Sequence, residues 1–289
     1  MRKKRFGDRK DGRKLRTIDP MSVVSPYIMD KRSGCQNFLQ DTFDTEACEK
    51  YLTDKKKEGI KGISLMHIIV AAYIRAVSQY PAINRYIAGQ RVYARDNIVV
   101  SIVIKREMKL ESPDTAIKIE FEPTDTIMDV YEKFNKAIEE YRNNPGSSFD
   151  KLARVLNYLP GLVLKSAIGF LRFLDYFGLL PYSLQKLSPF HGSLFITSMG
   201  SLGIPAVFHH LYDFGNLPVF IAFGAKKKVN VLNDDGKVEK RGIVDTTFVL
   251  DERICDGYYF ATAYKYLKRF FKNPELLELP PETVVEDIE

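Results

Sequence analysis

The sequence predicts a single α/β domain, and three features carry that expectation. Helix-like and strand-like stretches alternate along the chain, with two runs in the C-terminal third, 193–199 and 218–224, almost wholly apolar, as strands buried on both faces are. No stretch rich in proline, glycine and serine separates two cores. The 289 residues suffice for one large domain that buries roughly three quarters of its unfolded surface.

Asp19-Pro20 and Ser25-Pro26 read as turns. Residues 35–43 (CQNFLQDTF) form a first strand, and Asp44 caps a short helix, TEACEKYLTDKKK. Gly59 and Gly62 interrupt the chain before Ser64 opens the most regular helix. There Leu65, Ile68, Ile69, Ala72, Ala76 and Val77 follow the i, i+3, i+4, i+7 spacing of one buried face. It ends at Tyr80-Pro81, because a residue before proline is pushed out of the helical region. Strands are expected at 90–94, 98–105 and 116–121, then an amphipathic helix from Thr124 or Asp125 to about Arg142, then a loop over 143–148.

Beyond that loop lies 155–184, VLNYLPGLVLKSAIGFLRFLDYFGLLPYSL. Its charge-free runs fall short of the roughly 20 residues that a membrane span needs. A helix packed on the core or on a neighbouring subunit is expected, with peripheral membrane contact or a wall for an acyl chain as the alternatives. After the two apolar strands, Asn233-Asp234-Asp235-Gly236 joins 229–232 to 237–240 as a hairpin. A further strand is expected at 243–250, and Gly257 leads into a last helix, YYFATAYKYLKRFF. The expected boundaries are a basic arm over 1–19, the domain over 20–273 with a hydrophobic helical insertion near 150–187, and an acidic tail over 274–289.

The chain carries a net charge of +6. Residues 1–16 alone, with nine basic and two acidic side chains, carry +7, so the rest sums to −1. The basicity belongs to an arm, which is expected to dock on the protein's own acidic surface or to stay mobile. No nucleic-acid partner is expected, since Phe6 alone interleaves the arm's cations with an aromatic ring. Cys35, Cys48 and Cys255 lie far apart and form no CxxC pair, which points to a reducing compartment and the cytoplasm. No phosphate loop, HExxH, GxSxG or GxGxxG motif occurs, so several common engines and the usual metal sites are excluded. His67 falls inside a helix and reads as structural. His209 and His210 are adjacent, and in extended chain they point to opposite sides.

Residues 250–261, LDERICDGYYFA, place Glu252 and Asp256 at a strand-to-helix junction, where side chains can project into a cleft. Here the sequence resembles the chloramphenicol acetyltransferase and dihydrolipoyl acyltransferase family. That family's signature is HxxxDG, commonly DHRxxDG in the dihydrolipoyl branch. Asp251, Arg253, Asp256 and Gly257 stand in register with it, and Glu252 stands where the signature has histidine. Residues 193–225 are similar to the family's TISNLG stretch and its continuation, QYPAINRYIAG (79–89) to its FPxxN helix end, and 29–52 to its opening strand and helix. The resemblance covers about 20–273, with 145–190 the least matched, and shows no lipoyl domain.

The resemblance implies a two-layer sandwich of the chloramphenicol acetyltransferase type, a mixed sheet with flanking helices. It also implies a homotrimer with active sites between subunits, transferring an acyl group from a coenzyme A thioester, as co-substrate, to a small-molecule hydroxyl, amine or thiol. The family's histidine is a general base, and a serine hydroxyl steadies the oxyanion. Thr197 occupies the serine's position in Ile196-Thr197-Ser198-Met199-Gly200, and Ser198 and Gly200 are the implied coenzyme A contacts. Asp256 is implied to organise the loop by pairing with an arginine, Arg32 or Arg253.

Glutamate ordinarily titrates near 4.3, against about 6.5 for imidazole. Glu252 therefore serves as a base only if burial, for instance against 155–184, raises it. Otherwise it binds a cationic acceptor or pairs with Arg253 or a lysine, and His209 or His210 is the substitute base. Two function classes stay open: an acyltransferase with Glu252 as base, and a non-catalytic trimeric relative that binds a ligand or serves as a scaffold.

Overall fold

A computed structural model describes residues 4–105, 114–143, 156–233 and 235–289. The expected loop beyond Asn143, the start of the hydrophobic insertion and Asp234 of the hairpin turn lie outside the described residues. The strands are β1 Gly12–Lys14, β2 Gln36–Asp44, β3 Tyr86–Ala88, β4 Arg91–Arg95, β5 Ile98–Lys105, β6 Asp114–Phe121, β7 Leu194–Ser198, β8 Val219–Phe223, β9 Lys227–Leu232 and β10 Val238–Asp251. The α-helices are α1 Pro20–Ile28, α2 Glu46–Lys57, α3 Leu65–Gln79, α4 Ile127–Asn143, α5 Gly161–Tyr176, α6 Tyr182–Leu187 and α7 Gly257–Lys272.

The main sheet is mixed, in the order β2-β10-β8-β7-β5-β6, with β9 added beside the first half of β10. β7 runs parallel to both β5 and β8, and the other pairs are antiparallel. β8 (VFIAF) is buried at all five positions, because it lies mid-sheet with packing on both faces. Residues 237–240 and 243–250, expected as two strands, are one 14-residue strand. Its first half closes the hairpin with β9, and its second half lies between β2 and β8.

Helices α2, α3, α4 and α7 cover one face of the sheet and enclose the main core. The apolar spacing of α3 predicts one buried face, yet thirteen of its fifteen residues are buried. The sheet and helices enclose it, and the C-terminal tail supplies further cover: Arg75 Nη1 donates to the Leu276 carbonyl at 3.3 Å, and Val285 N–H donates to the Ser78 carbonyl at 2.8 Å. His67 is structural, its Nδ1 accepting the Ser64 N–H at 3.0 Å in a capping box. Across the sheet, a smaller cluster of Phe195, Leu211, Leu217, Phe220 and Val249 is the second apolar layer.

Three local expectations change. Asp19-Pro20 is no simple turn: Asp19 accepts the Met21 and Ser22 N–H groups at 2.9 and 3.1 Å and caps α1, which continues through Pro26. The cap position of α2 belongs to Thr45 rather than Asp44, although Asp44 Oδ1 still accepts the Glu46 N–H at 2.8 Å. Strands β1 and β3, too short to show a period in sequence, flank β4 in a second sheet.

The basic arm is docked. β1 pairs with β4, Lys4 meets Asp96 at 3.2 Å, and Arg5 meets Glu289 at 3.5 Å. Arg9 is buried and pairs with Asp175 of α5 at 2.8 Å. The tail returns the contact, with the Arg16 N–H on the Glu289 carbonyl at 2.9 Å and Arg85 Nε on Asp287 Oδ2 at 2.7 Å. None of the residues of helix α5 is buried against this chain, so the expected packing on its own core is not formed, and Leu162, Phe170 and Phe173 are exposed. No helix among the described residues is long and apolar enough to cross a membrane.

Candidate active site

β10 ends at Asp251, which is fully buried. Arg253 donates Nε to Asp251 Oδ1 at 2.8 Å and Nη2 to Oδ2 at 2.7 Å. Arg32 adds Nε to Oδ2 at 3.2 Å. The remaining guanidinium N–H groups reach backbone: Arg253 Nη1 to the Met29 carbonyl at 2.7 Å, Arg32 to those of Tyr212, Ile87 and Gly215 at 2.6, 3.1 and 3.0 Å. One carboxylate thus holds two arginines that tie β10 to the loops around it. Neither arginine reaches Asp256. The implied arginine–Asp256 pair is not formed. Asp256 is exposed, and its Oδ1 accepts the Tyr259 N–H at 2.8 Å as the cap of α7.

Glu252 sits between the two locked residues, half-buried, with its N–H on the Cys35 carbonyl at 2.9 Å. Its carboxylate has no hydrogen bond or ion pair among the described residues. The bridge to Arg253 or a lysine does not form, because Asp251 and Met29 already occupy Arg253.

Thr197, half-buried on β7, stands in register with Ala222, which faces Thr247 of β10. Its hydroxyl has no hydrogen-bond partner among the described residues. From Thr247 to Asp251 is about 13 Å along the strand, and with two strand spacings the gap from Thr197 to the Glu252 turn is about 16 Å. One chain therefore does not bring Glu252 and Thr197 onto one reacting atom.

Ser198 faces the other side of the sheet. Its Oγ accepts the Gly200 N–H at 3.3 Å, and both residues line a cavity of about 530 Å³ with Leu52, Lys56, Ser64 and Lys226. His209 stacks flat on Phe220, centroids 4.3 Å apart, with Nδ1 3.2 Å from the Val207 carbonyl. Burial holds its pKa below the usual value for histidine. His210 is exposed and stands edge-on to Tyr212. Of the two, it is His209 that lies on the sheet, one strand and two residues from Thr197. The double grip on Asp251 escapes sequence reasoning. Its one visible sign is the Asp-x-Arg spacing at a strand end.

Solved structures place this architecture. A probable dihydrolipoamide acetyltransferase from Listeria monocytogenes superposes with a TM-score of 0.57 at 17% identity, covering 90% of this chain and 94% of the other. The chain has the fold of the dihydrolipoamide and chloramphenicol acetyltransferases. Azotobacter vinelandii dihydrolipoamide acetyltransferase gives 0.54 at 13% identity over 90% and 88% of the two chains. Chloramphenicol acetyltransferase gives 0.50 at 12% over 89% and 100%. No family model and no curated sequence matches the chain.

Proposed function

We propose that this protein is an acyltransferase, moving an acyl group from a coenzyme A thioester to a hydroxyl, amine or thiol at a site assembled from two copies of the chain. The observation that carries the reading is the carboxylate of Glu252, unpaired among the described residues and held between Asp251 and Arg253, which are paired with each other. Asp251 and Arg253 fix the turn on either side, so Glu252 is presented to an acceptor without a competing cation.

Glu252 takes the acceptor's proton as the acceptor attacks the thioester carbonyl, and the carbon–sulfur bond then breaks. The Thr197 hydroxyl of the facing copy donates to the oxyanion. The proton returns from Glu252 to the departing thiolate. The separation within one chain requires that facing copy, and likeness to the acetyltransferase fold supports a homotrimer. The cavity beside Ser198 and Gly200 falls in the size range of ligand sites, and Lys56 and Lys226 at its wall suit the phosphates of coenzyme A.

Coenzyme A release from short and long acyl thioesters, followed from pH 6 to 9 with mixed acceptors, tests the reading. Turnover lost in Glu252→Gln supports it. Turnover retained in that variant moves the base to His209. The weakness of a carboxylate base favours the second reading, a non-catalytic ligand-binding or scaffold protein. Thioester binding without turnover in the wild type selects that reading.

A further inference from the structure

Beneath the arm, the sheet face away from the main helices holds a second polar cavity, of about 180 Å³. Lys118 on β6 lies two strands and two residues from Thr197, about 12 Å away. Arg95, Asn97, Gln185 and His191 share the polar wall with Glu120, Tyr182 and Lys186. Asp11, also in the wall, is already matched by Tyr86 Oη at 2.7 Å, Arg95 Nη1 at 3.2 Å and Asn216 Nδ2 at 2.9 Å.

Three other wall residues each keep a buried polar atom without a hydrogen-bond partner, Arg95 Nε, Asn97 Oδ1 and Gln185 Oε1, while His191 Nε2 faces Asp175 Oδ2 at 3.5 Å. Arg95, Gln185 and His191 are at most 5% exposed. Of the eight buried side-chain polar atoms that make no hydrogen bond among the described residues, Arg95 Nε, Asn97 Oδ1 and Gln185 Oε1 are three, and leaving a buried polar atom unmatched is costly. All three residues line one cavity, which marks a built site rather than scattered packing faults. The amide orientations are fixed, since Asn97 Nδ2 donates to Glu120 and Gln185 Nε2 to the Leu180 carbonyl. Both amide oxygens are therefore acceptors. Lys118 Nζ donates to the Gln185 and Ser188 carbonyls at 2.8 and 2.9 Å, leaving a third N–H.

We propose that this cavity binds a small hydroxy- or amino-carboxylate, its carboxylate on Arg95 Nε and Lys118 and its hydroxyl or ammonium on Asn97 Oδ1 and Gln185 Oε1. The volume matches about six waters, the size of lactate or serine. Burial, with Arg95 and Lys186 acting alike and Asp11 and Glu120 opposing, brings Lys118 down to about 7. His191, which burial holds below its usual pKa, adds little charge at neutral pH. Affinity for a carboxylate should therefore fall as pH rises through neutrality.

Titration calorimetry of the full chain with L-lactate, L-serine and propionate tests the site. Lactate or serine should bind at least tenfold tighter than propionate, which lacks the second polar group. Lactate binding should weaken about tenfold between pH 6.5 and 8.5 as Lys118 loses its proton. Lys118→Met should abolish it with the fold retained by circular dichroism. If that variant does not fold, Gln185→Leu should remove the preference for lactate over propionate. No heat with any of the three at 20-fold the protein concentration and above, up to millimolar levels, overturns the proposal, as does lactate binding unchanged in the folded variant.

Discussion

Asp251 and Arg253, two residues apart at the end of β10, form a two-point ion pair at 2.8 and 2.7 Å around a carboxylate with no solvent exposure. Arg32 shares that carboxylate at 3.2 Å. Removing it strands two buried cations, so Asp251→Ala should cost about 3–5 kcal/mol. Urea unfolding monitored by circular dichroism measures the loss, and a change under about 1 kcal/mol would contradict the role given to the pair.

Glu252→Gln should behave in the opposite way. The carboxylate has no partner among the described residues, so stability should move by no more than about 0.5 kcal/mol. Turnover should fall by about 10²–10⁴. Unfolding and coenzyme A release on the same preparation separate the two effects.

Thr197→Val should lower turnover by about 10²–10³, and Thr197→Ser should retain most of it. Mixed assemblies give a sharper test of a site shared between copies. Glu252→Gln and Thr197→Val chains, each inactive alone, should regain activity when refolded together, because some interfaces then join an intact glutamate to an intact threonine. Failure to complement, with mixed oligomers verified by mass, would place the chemistry within one chain.

His67 supplies a pH dependence of stability. Burial, only partly opposed by its hydrogen bond from Ser64, brings it to about 4, while the unfolded side chain titrates near 6.5. Between those values the unfolded chain binds the proton and the folded chain does not. Stability is thus fully present above about 6.5 and is lost as pH falls toward 4, by about 2 kcal/mol at pH 5. The difference between urea midpoints at pH 7 and pH 5 should shrink in His67→Gln.

Arg9 anchors α5 through Asp175, with both side chains largely buried. Arg9→Met should leave the core intact but loosen that helix. Limited proteolysis should then cut within 161–176 several-fold faster, while the urea midpoint of the main transition moves little. Unchanged cutting would mean that α5 is held by other contacts, such as Tyr176 Oη on Gln90 Oε1 at 2.7 Å.

The sequence carries most of the frame. Strand and helix positions from 35 to 80 come from capping residues, glycine breaks and apolar spacing, which act over a few residues and so leave a local trace. Gly59 and Gly62 stop the chain where expected because each adopts a positive φ, +93° and +86°. The site is legible as residue types at one junction, with Glu252 between Asp251 and Arg253. Their pairing is not, since whether Arg32 or Arg253 meets Asp251 or Asp256 depends on where a loop 219 residues earlier in the chain returns.

What the sequence by itself determined is the α/β class, the order of its main elements and the chemistry available at 251–257, because periodicity and short motifs are local properties of the chain. Tertiary structure alone decided the rest. It buried α3 on almost every side and left α5 unburied, though both read as apolar helices. It also docked the arm, freed Glu252 from its neighbours and gathered unmatched polar atoms around Lys118. Each of these depends on which distant segments meet, and burial and ion pairing are set by those meetings rather than by the composition of any one segment.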